Sequence, residues 1–251
     1  MELLSLFLIV GVSIVIPVIV WIILLAKGKN QRIGIFLLFL VSAAFYVGVS
    51  WWLKQYILSY LFVNTGFENF MREHYALYML VVALAGALLA VIPEWITVRL
   101  ICRRKITYMQ ALAMGIGYCA AESTMLVGYK AVNTLIDIIK NGQKEIGQST
   151  SDLLLTSLER FLLTIIGTGL IVIFIHWIEE KSDIKAVLFK AIAQGIIAFI
   201  PGFLVAFSTE DFLEVFDRST TLIMVYIILG AAAFASFIVT DSLKWKMYEK
   251  R

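Results

Sequence analysis

The sequence predicts an all-α, polytopic membrane helical bundle of about seven transmembrane helices, with the N-terminus outside and the C-terminus in the cytoplasm. Three observations predict it. Of 251 residues, 61% are hydrophobic and only 16% charged, with mean hydropathy +0.91, whereas a soluble domain must solvate its surface. The apolar residues are gathered into runs of roughly 20, each long enough to cross a ~30 Å hydrocarbon core at about 1.5 Å per residue. Positive charge alternates from loop to loop, as orientation in a membrane requires. Backbone groups find no water in that core, so the spans are helices. The period-two alternation of barrel strands is absent.

Span one is Leu3–Ala26, with Lys27, Lys29 and Arg32 behind it. No basic segment precedes it and it is long for a signal peptide, so it reads as a retained span. Span two runs from Ile33 to about Leu53, and Lys54–Val63 either continues it or bends into an interfacial segment. Span three is Ala76–Ile101. Span four covers Ile106 to about Val127, with an extension toward Ile139. Span five is Leu153–Ile178, span six Ala186–Ser208 and span seven Thr220–Leu243. The pattern shows neither an internal repeat nor an extramembrane domain, so residues 1–251 form one bundle.

Residues 27–32, 99–105, 179–185 and 244–251 fall on one side and carry the basic clusters, including Arg103, Arg104, Lys105, Lys244 and Lys246. Residues 64–75, 140–152 and 209–218 fall on the other and hold Glu68, Glu73, Glu145, Asp152, Glu210, Asp211, Glu214 and Asp217. The positive-inside rule makes the first set cytoplasmic and the second extracytoplasmic. The acidic segment Thr209–Arg218 also holds Phe212, Leu213, Val215 and Phe216, the pattern of an interfacial turn or of a docking surface for a partner.

Composition excludes some classes of function. A net charge of +3 with no basic-tailed face argues against nucleic acid. The expected partners are the lipid bilayer and another membrane protein. Cys102 and Cys119 are 17 residues apart on or beside one helix, roughly 25 Å along its axis, too far to bond.

Ionisable groups inside a bilayer are functional-site candidates because they cost several kcal/mol to place there. Glu94, Glu122, Glu159 and Arg160 are the deepest. Lys130, Asp137, Lys190 and Asp241 stand nearer span ends, where side chains reach water. Tyr118 and Glu122 are four apart and share a helical face. Small residues at Gly117, Ala120, Ala121 and Gly128 permit close helix approach. With Gln194-Gly195 and Pro201-Gly202 in span six, these residues predict a polar pocket between spans three and six, in the outer half of the bilayer. The alternative is structural: each carboxylate pairs with Arg160 or a polar neighbour and fixes the packing. Pro93 and Pro201-Gly202 are also places where a helix can break.

A catalytic zinc site takes three protein ligands. His74 and His176 are the only histidines and sit at opposite ends of their spans, so they cannot share an ion. Carboxylates alone suit harder ions. The expectation is therefore no metal, no cofactor and no histidine-activated nucleophile. A dyad of Glu94 and Glu122 as base and acid is the remaining enzymatic option.

The layout of about residues 10–210 resembles the YhfC family of intramembrane proteases, which is similar to the PrsW group and more distantly to the CAAX-protease relatives. Members carry Glu-Glu-x-x-Arg late in span three and Gly-x-Gly-His-Gly-Gly-x-Glu in span four. They also carry a Glu-Arg pair followed by a histidine in span five, and a histidine in span six. Here Gly115-Ile116-Gly117, Glu122 and Glu159-Arg160 match, and the downstream Arg99 and the basic turn Arg103–Lys105 look family-like. Ala90 and Val91 stand where the paired carboxylates are expected, and Tyr118, Gly167 and Gln194 stand at the three histidine positions. The resemblance implies a protease frame stripped of its activating groups, a pseudoprotease.

The leading expectation is thus a non-catalytic binding, regulatory or accessory subunit for another membrane protein or an apolar peptide, in the bacterial cytoplasmic membrane. Its expected pocket is Tyr118, Glu122, Glu159, Arg160 and Gln194. The alternatives are an active intramembrane peptidase using Glu94, Glu122 and Glu159, and a small-molecule or lipid permease in which intramembrane carboxylates relay protons.

Overall fold

The computed structural model describes residues 2–64, 70, 73–101, 106–141, 149–180, 182–206 and 218–249. Among these the chain is almost entirely helical, without strands. Seven helices are long and apolar enough to cross a membrane: α1 Leu3–Lys27, α2 Arg32–Ile57, α3 Tyr75–Arg99, α4 Tyr108–Lys140, α5 Thr150–Glu180, α6 Asp183–Leu204 and α7 Ser219–Lys244. The basic turn Arg103–Lys105, Cys102 and nearly all of the acidic segment Thr209–Arg218 lie outside the described residues.

Burial sorts these helices into a centre and a shell. More than half of the most apolar stretches of α4 (61%) and α5 (56%) is buried, against about a fifth for α1, α3 and α7. The shell helices turn Leu8, Ile19, Leu40, Val81, Ile192 and Phe234 outward, which in lipid costs nothing and in water would be an aggregation hazard. Small residues let the centre close. A Cβ on Gly115 would meet Thr168 Cα at 2.9 Å, so α4 and α5 touch backbone to backbone there. Gly117 lies against Phe39 and Ser42 of α2, whose Ser42 Oγ is 2.6 Å from where its Cβ would be.

The turns at one end are stitched together. Thr107 and Gln110 form a capping box that starts α4, and the Thr107 hydroxyl also bonds Gln31 in the α1–α2 turn. Glu179 Oε1 accepts from the Ile106 amide at 2.9 Å. Arg99 donates to Asp183 from both Nε, at 2.7 Å, and Nη2, while Trp95 Nε1 donates to the same carboxylate at 2.9 Å. Leu243 and Met247 join Val98, Ile106 and Ile178 in the core cluster nearby. The opposite end is closed by Leu6 and Ile9 of α1 against Ala131 and Leu135 of α4 and Leu153 of α5.

Several local expectations resolve. Lys54–Val63 continues α2, after a π-turn at Tyr46–Trp51, as helix Trp52–Asn64. Likewise α4 runs on past a π-turn at Thr124–Gly128 to Asn141. The prolines do not break their helices. Pro93 sits inside Tyr75–Ile96, with Thr97 Oγ1 donating to the Pro93 carbonyl at 2.9 Å before a π-turn at Thr97–Ile101. Pro201 lies inside Asp183–Ala206.

Candidate functional site: a long cavity among the central helices

A cavity of about 360 Å³ opens between α3, α4, α5, α6 and one residue of α7. Its polar lining is Glu94, Tyr118, Glu122, Glu159, Arg160, Lys190 and Gln194, and its apolar lining includes Leu126, Leu163, Ile197 and Leu229. A second chamber of about 230 Å³, bounded by α2, α3, α4 and α6, adjoins it. The two share Tyr118, Glu122, Gln194 and Ala198 as a common wall. All five residues expected to form the pocket, and Glu94 besides, therefore face one connected space.

Each element delivers its residues by periodicity. On α4, Tyr118 and Glu122 project from adjacent turns, with Cys119 turned toward Gly167 of α5. Tyr118 is held on two sides. Its hydroxyl donates to Ser50 Oγ at 3.0 Å, and its ring meets Tyr46 edge-on at a centroid distance of 4.9 Å. On α5, Glu159 and Arg160 pair at 3.0 Å, so the deepest arginine is already occupied by its own neighbour.

The expectation for Lys190 is overturned. It does not reach water but is 2% exposed, and its ammonium pairs with Glu94, also 2% exposed. Lys190 Nζ lies 5.3 Å from the Phe174 ring centroid and 5.9 Å from that of Tyr118, so aromatic faces help hold the cation. Helix register explains the pairing. Glu94 precedes Arg99 by five residues and Lys190 follows Asp183 by seven, and Arg99 bonds Asp183. Measured from that shared level, both side chains start at about 8–10 Å depth. Opposite charges at matched depth in helices of opposite direction were the signal for this pair, and distance from the nearest span end was the wrong one. Lys130, Asp137 and Asp241, by contrast, are exposed.

The cavity also extends further than expected. With Glu94 and Lys190 at one extreme and Glu159 and Gly202 at the other, it is not confined to one half of the bundle. The histidines stay away from it. His74 is exposed just before α3, and His176, near the end of α5, pairs with Glu180 at 3.0 Å. Although three carboxylates line the cavity, no group of three or more His, Cys, Asp or Glu among the described residues is arranged to hold a metal ion.

Seven of the positions singled out by the family pattern converge on the same space, whereas Val91 packs in the core and Arg99 bonds Asp183 at the membrane edge. Ala90, Tyr118, Glu122 and Gln194 line the smaller chamber, while Gly167, Glu159 and Arg160 line the larger. A side chain at Gly167 would begin 2.6 Å from Cys119 Sγ, so a larger residue there would require the Cys119 side chain to shift.

No curated protein and no solved structure is detectably similar to the chain. A family model described as YhfC intramembrane metalloprotease matches residues 12–194, from within α1 to the middle of α6, leaving α7 outside the match. A multi-pass membrane protein is what the seven helices and this family both require, and the bacterial cytoplasmic membrane fits the family. With about three quarters of its length matched, the chain belongs to the YhfC intramembrane metalloprotease family.

Proposed function

We propose that this chain is a non-catalytic member of its family, a binding or accessory subunit that uses the inherited cavity to hold an apolar peptide segment of another membrane protein. The observation that carries this reading is the Glu94–Lys190 pair. A metal-dependent hydrolase needs carboxylate and imidazole ligands converging on an open coordination position. Here the most buried carboxylate, Glu94, is paired with Lys190. Tyr118, Gly167 and Gln194 offer no imidazole, and Glu159 is paired with Arg160. The residues present do not fit the family's metal, because a divalent cation at Glu94 would have to displace the buried Lys190 side chain that already pairs with that carboxylate.

A carboxylate-only peptidase would need Glu94, Glu122 and Glu159 to act together around one water. Two of the three are held in ion pairs, which supports the binding reading over that alternative. The chemistry left to the site is recognition: an apolar wall, a few oriented dipoles and room for a guest.

The test is hydrolysis. Purified protein in lipid, given a quenched transmembrane peptide, should show no cleavage above a protein-free control. Glu122→Gln and Glu159→Gln should leave that background unchanged. Cleavage by the native protein that disappears in both variants would overturn the proposal.

A further inference from the structure

We propose that the smaller chamber, bounded by α2, α3, α4 and α6, binds a small primary alkylammonium ion; this goes beyond the peptide-binding reading and stands or falls separately from it. Charge is the first argument. Among the described residues, the connected space is lined by three carboxylates, Glu94, Glu122 and Glu159, and by two cations, Arg160 and Lys190. Arg160 pairs with Glu159 and Lys190 with Glu94. The lining as a whole therefore carries one more negative charge than positive, in an apolar medium where an unbalanced charge is costly. Glu122 is the carboxylate that reaches the smaller chamber, and no lysine, arginine or histidine among the described residues lines that chamber. One added positive charge balances the space, whereas a divalent ion overshoots it.

Hydrogen bonding is the second argument. Gln194 Oε1 is buried in the wall common to both chambers and has no hydrogen-bond partner among the described residues. A buried acceptor without a donor costs free energy until a donor arrives. The Tyr118 hydroxyl gives its own proton to Ser50 Oγ at 3.0 Å, which leaves its oxygen to accept. Glu122 completes a wall of acceptors. An alkylammonium is the complementary group, with three N–H donors and no acceptor.

Shape selects an organic cation over a bare ion. The chamber, at about 230 Å³, exceeds the roughly 150 Å³ that holds a benzene ring in a dry protein core. Its α3 wall is apolar, formed by Met79, Val82, Ala83 and Ala87. That wall takes a short alkyl stem, which a proton or a potassium ion lacks. Tyr118 and Gln194 stand at two of the histidine positions of the family pattern, so the substitutions that remove imidazoles are the ones that supply these neutral acceptors.

Titration calorimetry on the native protein in nanodiscs, with empty nanodiscs as the blank, tests this. The probes are n-butylammonium, n-butanol (the stem without charge), tetramethylammonium (the charge without N–H donors) and potassium at equal ionic strength. Butylammonium should saturate with a dissociation constant at or below about 1 mM and bind at least about tenfold tighter than each of the others. Gln194→Leu should weaken butylammonium about tenfold and tetramethylammonium little. Glu122→Gln should abolish the preference for butylammonium over butanol. Butanol binding as tightly as butylammonium, or no saturation by butylammonium up to about 10 mM, would overturn the proposal. The four-probe series decides the question even if a variant fails to fold. A transmembrane peptide with one central lysine, set against its glutamine counterpart, then separates the sources of the ammonium. Displacement of butylammonium by the lysine peptide alone places it on a guest segment, and no displacement assigns a free amine.

Discussion

At the scale of the residue, the Glu94–Lys190 pair dominates. Two charges have been moved from water into a site where each is 2% exposed, and their attraction offsets that desolvation only while both are present. Lys190→Met should therefore destabilise the protein by about 3–5 kcal/mol, the cost of stranding a buried carboxylate. The double variant Glu94→Gln, Lys190→Met should recover most of the loss. Thermal unfolding in detergent checks this, and a double variant no more stable than the single one would contradict it. Half of the pair was legible from the sequence, since a carboxylate deep in an apolar run is costly wherever it sits. Lys190 was misread because its distance from the span end permitted an excursion to water that the packing of α6 on α3, with Phe174 and Tyr118 alongside, does not allow. Tyr118 and Glu122 were legible together because spacing of four fixes a shared face whatever the tertiary packing.

At the scale of the element, close approach does the work that hydrophobic burial does in water. Lipid tails are as apolar as leucine, so helix association draws on van der Waals contact and buried hydrogen bonds. Gly117, against Phe39 and Ser42, is a point of close backbone approach between α2 and α4. Gly117→Leu should lower the unfolding temperature sharply, with a loss of at least about 2 kcal/mol from overpacking. The same change at Gly230, where nothing lies within 4 Å of the added carbon, should be nearly silent. The link between α3 and α6 at the membrane edge is a milder case. Arg99 and Asp183 are 45% and 30% exposed, so Asp183→Asn should cost only about 1 kcal/mol despite the fork of hydrogen bonds. A loss as large as that of Lys190→Met would contradict this ranking. The spans themselves were readable from hydropathy, but their π-turns were not, because i→i+5 bonding follows from packing against neighbours and leaves no local signature.

At the scale of the whole molecule, loop charge and structure meet at one set of turns. The α1–α2, α3–α4 and α5–α6 turns are hydrogen-bonded or packed into one end, and those are the turns carrying the basic residues. We expect that end to be cytoplasmic. Single cysteines at Lys29 and Ser182, in a background without Cys102 and Cys119, should resist an impermeant thiol reagent in intact cells. Single cysteines at His74 and Asp152 should react, and the reverse pattern would overturn the orientation. The convergence of residues from five helices on one cavity is a property of this scale, and the sequence supplied Tyr118, Glu122, Glu159, Arg160 and Gln194 but neither Lys190 nor the cavity's length. That length runs from the Glu94–Lys190 pair to Gly202 and is set by how α5 and α6 lie side by side.

The central claim is that the cavity of a metalloprotease relative has become a binding site whose resident cation is a lysine. Its most direct test is the metal content of protein purified without chelator and equilibrated with micromolar zinc in lipid. The account predicts well under one zinc per chain and an unfolding temperature unchanged by added chelator. One tightly held zinc per chain, lost in Glu122→Gln and accompanied by a chelator-sensitive unfolding temperature, would contradict it.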